Sequence, residues 1–316
     1  MTISFDTFDT PGGYAWWYLD ALSDDGQCGL TLIAFIGSVF SPYYAWARRR
    51  RQGVADPLNH CALNVALYAR PGSAAPTAWT MTERARGAAQ RSASSLVIGP
   101  SSMTWQGDTL HIRINERTVP WAKRVKGEVR LYPSAWRLSK SYALDAAGHH
   151  QWCPIAPCAR VEVDLEQPDL SWRGRGYLDS NWGKRPLADD FTRWDWSRAA
   201  LKGRTAVLYD TTRRDGSKLS LAMEFDERGQ AKKFSAPPLV DLAATPWRLA
   251  RSTRSDRPSD AKVAQTLEDS PFYARSIVHT HLLGEAAVAV HESLSLARWA
   301  QPVVQAMLPF RMPRRG

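Results

Sequence analysis

The chain has 316 residues, 44% of them hydrophobic and 23% charged, an ordinary globular composition too long for one small core. Its 41 Lys and Arg against 31 Asp and Glu give a net charge of +10, which suits nucleic acid, an anionic bilayer or an acidic partner. No zinc-finger spacing and no aromatic RNA-binding pattern accompanies that charge, so nucleic acid is set aside as a partner.

Met1 to Gly13 is acidic, without a basic start or an apolar run, and carries no signal-peptide pattern. Tyr14 to Leu22 and Gln27 to Ile36 read as two strands joined by the Asp24-Asp25-Gly26 turn. The longest apolar stretch, Gly29 to Phe40, is about a dozen residues against the ~20 a spanning helix needs. Ser38 to Tyr44 reads as a loop whose aromatic tips, Tyr43 and Tyr44, either line a cavity mouth or cap a core. Ala45 to Arg51 and Trp299 to Met307 are the two helix candidates. Arg48 to Arg51 and the tail Arg311-Met312-Pro313-Arg314-Arg315 lie beside aromatic or apolar residues (Tyr43, Tyr44, Trp46; Met307, Leu308, Phe310). They read either as anchors for anionic lipid or as solvated loop charge.

Elsewhere period-two alternation dominates, as in Leu63/Val65/Leu67, Leu110/Ile112/Ile114, Val161/Val163 and Leu219/Leu221/Met223. Such runs are half-buried antiparallel strands, punctuated by turns at Gln106-Gly107-Asp108, Asp215-Gly216 and Arg228-Gly229. The fold expected is mostly β, built of sandwiches or barrels. Arg70 to Thr77 and Arg251 to Lys262 are the linker-like segments. A domain boundary is expected near Asp164, before the Gln167-Pro168-Asp169 turn, dividing the chain into residues 1–165 and 166–316.

The segment with the most chemistry is Gly176-Tyr177-Leu178-Asp179-Ser180-Asn181-Trp182-Gly183. It sets one carboxylate among aromatic rings, with His150 and Trp152 upstream and Trp194, Asp195 and Trp196 downstream. Poor hydration disfavours a charged Asp, and a neutral acid ringed by aromatic faces can protonate a carbon–carbon double bond and tolerate the resulting cation. The competing reading is a β-turn whose Asp and Asn bond to nearby backbone while the Trp residues pack as core. On a strand, Tyr177 and Asp179 share one side, as do His150 and Trp152. Fourteen Trp against ten Tyr and nine Phe favour a large π-rich cavity, a membrane interface or several Trp-anchored cores.

Cys28, Cys61, Cys153 and Cys158 show no CxxC spacing and read as reduced thiols. His279 and His281, like His149 and His150, lack a convincing third ligand, so no metal is expected. There is no GxGxxG, P-loop or Gly-x-Ser-x-Gly elbow, so no nucleotide or other cofactor is expected. Glu268-Asp269, Asp189-Asp190 and Asp210 could supply a glycosidase pair, a reading that depends on separations a sequence does not give.

Several segments, taken in order, resemble carotenoid 1,2-hydratase, also called hydroxyneurosporene synthase. They are Gly13 to Tyr18, Phe35 to Tyr44, Asn59 to Asn64, Gly176 to Gly183, Trp194 to Arg198, Thr266 to Asp269, His291 to Leu294 and Met307 to Pro313. The resemblance implies a lipocalin-related fold of two β-barrel-like halves. It also implies cofactor-free addition of water to the terminal double bond of an acyclic carotene such as neurosporene or lycopene. The product would be a tertiary alcohol on the way to spheroidene or spirilloxanthin in purple phototrophic bacteria. The family's catalytic roles fall on Asp179 as the acid, with His150, Trp152 and Tyr177 in support. Trp182, Trp194, Trp196, Tyr43 and Tyr44 are the candidates for contacting the polyene.

The chemistry agrees with the residues. An alkene is a very poor base, so the acid must be desolvated and neutral, and a water must be held and deprotonated, for which His150 is the candidate. An insoluble substrate further implies peripheral attachment to an anionic membrane surface, on the cytoplasmic side. Two rivals are a non-catalytic carrier of apolar ligands and a terpenoid isomerase or cyclase on the same scaffold.

Overall fold

The computed structural model describes residues 4–8, 10–51, 54–135 and 140–315. They form two compact units: residues 1–186 with 306–316, and residues 187–305.

The first unit contains β1 (Tyr14–Ser23), β2 (Cys28–Ile36), α1 (Pro42–Arg50), β3 (Cys61–Ala69), β4 (Ala78–Arg84), β5 (Ala89–Arg91) and β6 (Ser95–Ile98). It continues with β7 (Ser101–Gln106), β8 (Thr109–Arg117), β9 (Arg124–Pro133), β10 (Tyr142–Ala143), β11 (His150–Gln167) and β12 (Asp169–Gly183). Among the described residues these strands make one sheet in the order β4-β3-β2-β1-β12-β11-β9-β8-β7-β6-β5, with β10 beside β11 and Arg314–Arg315 paired parallel to β4.

The second unit holds α2 (Leu187–Asp190), β13 (Phe191–Leu201), β14 (Arg204–Arg213), β15 (Lys218–Asp226) and β16 (Ala231–Lys233). After these come β17 (Leu239–Leu242), β18 (Arg251–Arg254), β19 (Lys262–Asp269), β20 (Tyr273–Leu282), β21 (Glu285–Ser295) and α3 (Leu296–Trp299). Its seven-stranded sheet runs β16-β15-β14-β13-β21-β20-β19, with β17 and β18 as a separate pair. Apart from the parallel Arg314–Arg315 pairing the sheets are antiparallel and curled, and the fold is mostly β and lipocalin-like, as expected.

The expected boundary at 165/166 lies inside the first unit, at the turn joining β11 to β12. Those two strands form a long hairpin in register from Glu166↔Asp169 to His150↔Gly183, so the segment that looks like a break is the tip of a continuous ladder. The linker-like Arg251 to Lys262 opens with the buried strand β18.

Helix α1 begins at Pro42, earlier than its apolar pattern suggests, because Ser41 caps it: the Ser41 hydroxyl accepts the Tyr44 N–H at 2.9 Å and Pro42 fixes the first turn. Arg48, Arg49 and Arg50 complement the dipole of its last turn. The expected helix at Trp299–Met307 is split into α3 and a second helix, Pro302–Met307, since Pro302 cannot continue the first.

Alternation gives the first unit's sheet two different faces. One carries Trp17, Leu19, Leu32, Val65 and Leu178, members of a single apolar cluster that continues into β8, β9 and β11. Burying each such side chain contributes about 1.5–3 kcal/mol. A charge there, as in Leu19→Asp, would break the sheet's packing, because nothing in that cluster could pair it. The opposite face carries Tyr18, Trp152, Tyr177 and Asp179.

Candidate active site

Three adjacent strands build that second face. The register aligns Tyr18 of β1 with Asp179 of β12 and Pro154 of β11, Trp16 with Asn181 and Trp152, and Tyr14 with Gly183 and His150. Asp20 aligns with Tyr177 one step further along. Asp179 therefore lies mid-strand rather than in a turn, which overturns the β-turn alternative, and its side chain is only 2% exposed. The four residues expected to act together, Asp179, Tyr177, Trp152 and His150, share this face and are all buried.

Two donors converge on one carboxyl oxygen. Tyr177 donates its hydroxyl to Asp179 Oδ2 at 2.6 Å, and the indole Nε1–H of Trp152 donates to the same oxygen at 2.8 Å. Tyr177 reaches along its own strand from two residues away, and Trp152 reaches diagonally from β11. Directly beside Asp179 in the ladder, β11 places Pro154, at a register shift. Tyr142 packs against Trp152 with centroids 5.4 Å apart, and Tyr18 meets Tyr177 edge-on at 6.3 Å.

His150 stands at the end of the same row. Its Nδ1 lies 2.8 Å from the Tyr14 hydroxyl, and its main-chain N–H donates to the Asp145 carboxylate at 2.8 Å. Burial pushes the Asp145 pKa up, but the N–H groups of His150 and His149 outweigh it and hold the carboxyl below its usual range. Trp16 stacks on Tyr14 at 5.1 Å and packs against Phe35, extending the aromatic surface along the sheet. Sequence reasoning missed Tyr14, Trp16, Tyr18 and Asp20. The period-two Tyr14-Trp16-Tyr18 pattern was the available signal, but only strand pairing puts it beside Asp179.

Other expected contacts lie elsewhere. Trp182 is three residues from Asp179, so it projects from the opposite face, where it stacks on Phe8 at 4.5 Å against the apolar core. Tyr44 is a core bolt: its hydroxyl donates to the Gly13 carbonyl at 2.7 Å and its ring packs on His60 and under Arg48. Tyr43 lines a cleft of about 690 Å³ with Trp46, Arg50, Arg51, His60, Arg86 and Arg314. Arg48 is buried against Tyr44, so the basic cluster exposes Arg49, Arg50 and Arg51 only. In the tail, Arg311 stacks on Trp79 and Arg314 pairs with Glu83, which also accepts from His60.

Trp194 and Trp196 belong to the second unit, on β13. Trp194 packs edge-on against Phe191 and Tyr209 at 5.2 and 5.5 Å. The alternate face of β13 supplies Asp195 and Ser197 to a buried network. His291 Nδ1 meets Ser197 at 2.7 Å and its Nε2 meets Ser293 at 3.0 Å; Ser293 donates to Asp195 at 2.6 Å, and Arg193 donates to the other Asp195 oxygen at 2.6 Å. A serine–histidine–aspartate chain suggests nucleophilic catalysis, but burial, with Arg251 and Arg193 adding to it, drives the His291 pKa down to about 3. Ser293 also stands between His291 and Asp195, and every member of the chain is buried, an arrangement that suits internal bracing.

His281 approaches Asp256 at 3.6 Å while His279 is exposed. Among the described residues no three His, Cys, Asp or Glu gather as a metal site. All four cysteines are free thiols, and burial raises the pKa values of Cys61 and Cys153 to about 12. No described helix is long and apolar enough to cross a membrane.

The family model for carotenoid hydratase CrtC matches residues 32–316. The chain belongs to the carotenoid hydratase family. This hydratase is an enzyme of the hydro-lyase class. It is 57% identical to an acyclic carotenoid 1,2-hydratase of Thiocapsa roseopersicina over 99% of its length and 76% of the relative's. It is 51% identical to that of Rubrivivax gelatinosus, over the same shares, and 42% identical to that of Rhodobacter capsulatus over 90% of its own length and 98% of the relative's. Among solved structures, the hydratase is similar to a Nitrosomonas europaea protein assigned as AttH (TM-score 0.62, 17% identity, 89% and 92% of the two chains). It is also similar to CghA solved with Sch210972 (TM-score 0.57, 13% identity, 90% and 89%). At such identities these two likenesses speak for the fold.

Proposed function

We propose that this hydratase adds water to the terminal carbon–carbon double bond of an acyclic carotene such as neurosporene or lycopene, with Asp179 as the proton donor. The observation that carries this reading is the convergence of Tyr177 and Trp152 on Asp179 Oδ2 within a buried aromatic face. Burial disfavours the carboxylate, while two donors favour it. In the proposed mechanism the acid starts neutral, and the two donors stabilise the carboxylate left when its proton departs.

With both donors on Oδ2, the neutral carboxyl carries its proton on Oδ1. That proton passes to the less substituted alkene carbon, the π pair forms the new C–H bond, and a tertiary cation remains. Facing rings of Tyr18, Trp152 and Tyr177 stabilise the cation by roughly 0.5–2 kcal/mol each. Water attacks the cation, the oxonium gives a proton to His150, and the cycle closes when His150 releases that proton to solvent and Asp179 takes one back from solvent. The atoms balance as alkene plus water to tertiary alcohol, with no change of oxidation state and no cofactor.

Incubation with lycopene and neurosporene, followed by mass analysis, tests the reading: the product gains one water. A carrier would return bound, unchanged carotene, and an isomerase or cyclase would return an isomer of unchanged mass. Asp179→Asn keeps an oxygen to accept both donors but loses the acidic proton, so a folded variant is expected to show no hydration. Turnover near wild type in that variant would remove Asp179 from the mechanism.

The same reading has the enzyme working at the cytoplasmic face of an anionic membrane, because its substrate does not dissolve in water. Support comes from exposed Arg49, Arg50 and Arg51, the basic cleft beside them, and the exposed rings of Trp46 (54%) and Phe310 (84%). Each arginine near an anionic surface adds about 1 kcal/mol, so three give reversible, salt-sensitive binding.

A further inference from the structure

Tyr14 and His150 sit on strands that are not neighbours. β12 runs between β1 and β11, and Gly183 is the β12 residue aligned with both. Strands lie about 4.8 Å apart, so the two flanking residues are separated by about twice that, and the side chain of the middle residue normally stands between them. Gly183 has none. A Cβ built there would lie 2.5 Å from Tyr14 Cε1, 2.7 Å from Tyr14 Cζ and 2.7 Å from His150 Nδ1. The φ of Gly183 is not in the left-handed region, so nothing in its backbone asks for glycine. What needs glycine is the contact that passes over it: Tyr14 Oη to His150 Nδ1 at 2.8 Å, with the two rings 23° from parallel.

We propose that Tyr14, reaching across Gly183, is a positioning residue that accepts the Nδ1–H of His150 and so presents Nε2 as the basic nitrogen of the hydration site. The inference rests on the reading of His150 as the group that takes the water's proton. A neutral imidazole carries one hydrogen, and the nitrogen fixed as donor leaves the other as acceptor. The main chain of His150 is already anchored, by Asp145 accepting its N–H and by the Leu144 N–H donating to its carbonyl at 2.9 Å. The Tyr14 hydroxyl, 2.8 Å from Nδ1, restrains rotation of the ring. Trp16, stacked on Tyr14, backs the phenol from the other side. Among the described residues, the titratable groups facing this ring or its anchoring loop include Tyr14 on β1 and Asp145 and His149 in the segment leading into β11.

Tyr14→Phe carries the test, because it removes one oxygen and leaves the ring to pack. Its kcat for hydration is expected to fall about 10–100-fold, by analogy with loss of the partner that orients a metal-bound histidine, with KM changed less than about twofold. In the wild-type protein, ¹⁵N NMR of His150 is expected to show hydrogen on Nδ1, and the Phe variant a shift of population toward Nε2. Gly183→Ala is expected to lose activity through the same contact, so Tyr14→Phe/Gly183→Ala should be no slower than the slower single variant. Wild-type kcat in Tyr14→Phe, or hydrogen on Nε2 in the wild-type protein, would overturn the proposal. Asp179→Asn separates this from failure of the hydration reading: an inactive Asn variant beside a fully active Tyr14→Phe variant sinks the positioning role alone.

Discussion

Tyr177→Phe isolates the contribution of one donor to the acid. The ring, its edge contact with Tyr18 and its burial all persist, while the 2.6 Å bond to Asp179 Oδ2 is lost. That bond does little for a neutral carboxyl and more for the carboxylate formed as the proton leaves. Hydrogen bonds to charged groups contribute about 1.5–3 kcal/mol. At 1.4 kcal/mol per decade, loss of this amount in the transition state slows kcat by about 10–150-fold. The Trp152 donor remains at 2.8 Å, so activity should fall without vanishing, and KM should hardly move because the hydroxyl is spent on Asp179. Initial rates of hydrated product, measured with detergent-solubilised lycopene and paired with thermal melts, read this directly. A folded Tyr177→Phe enzyme with kcat within a factor of about two of wild type would refute the claim that this bond stabilises the developing carboxylate.

Chelation with EDTA is expected to leave hydration unchanged; loss of activity restored by a divalent ion would bring the histidines back as ligands. Neutralising Arg49, Arg50 and Arg51 together should weaken sedimentation with anionic liposomes at low salt and slow turnover of membrane-delivered lycopene more than of detergent-solubilised lycopene; unchanged sedimentation at low and high salt would mark these arginines as solvated helix charge. Because the His291 pKa is held at about 3 in the fold against 6.5 ordinarily, the unfolded chain binds the extra proton between those values, so stability should fall as pH drops from 6.5 toward 3. His291→Gln should flatten that acid limb in pH-dependent denaturation, and an unaltered limb would mean other groups dominate it.

Much of the site was legible because it is local. Tyr177 and Asp179, or His150 and Trp152, share a side by the period of a strand, and no tertiary information is needed to see it. The same arithmetic excludes Trp182, whose odd spacing from Asp179 turns it to the core. What stayed hidden depends on pairing between distant segments: the paired residues of β1 and β12, from Tyr14↔Gly183 to Ser23↔Gly174, are far apart in the chain, and only the register brings Tyr14 over Gly183 or sets Tyr18 beside Asp179. Arg48 was misread because its charge suggested solvent, whereas its guanidinium covers Tyr44. The hairpin of β11 and β12 misled the domain boundary for a related reason, since a polar turn looks alike at the tip of a ladder and between domains.

The division of labour between the two faces of the first sheet has an evolutionary consequence. Along β1 and β12, neighbouring positions alternate between a folding series in the apolar cluster (Ala15, Trp17, Leu19 and Leu178) and the series on the face of the proposed acid (Tyr14, Trp16, Tyr18 and Asp179), which is the proposed reactive series. A lineage can therefore rewrite the reactive series while the folding series keeps the strands paired and in phase. Diversifying Trp16, Tyr18, Asp20 and Asn181 in the laboratory, with the interleaved residues untouched, is the route by which this scaffold would be led toward other alkenes or other fates for the cation.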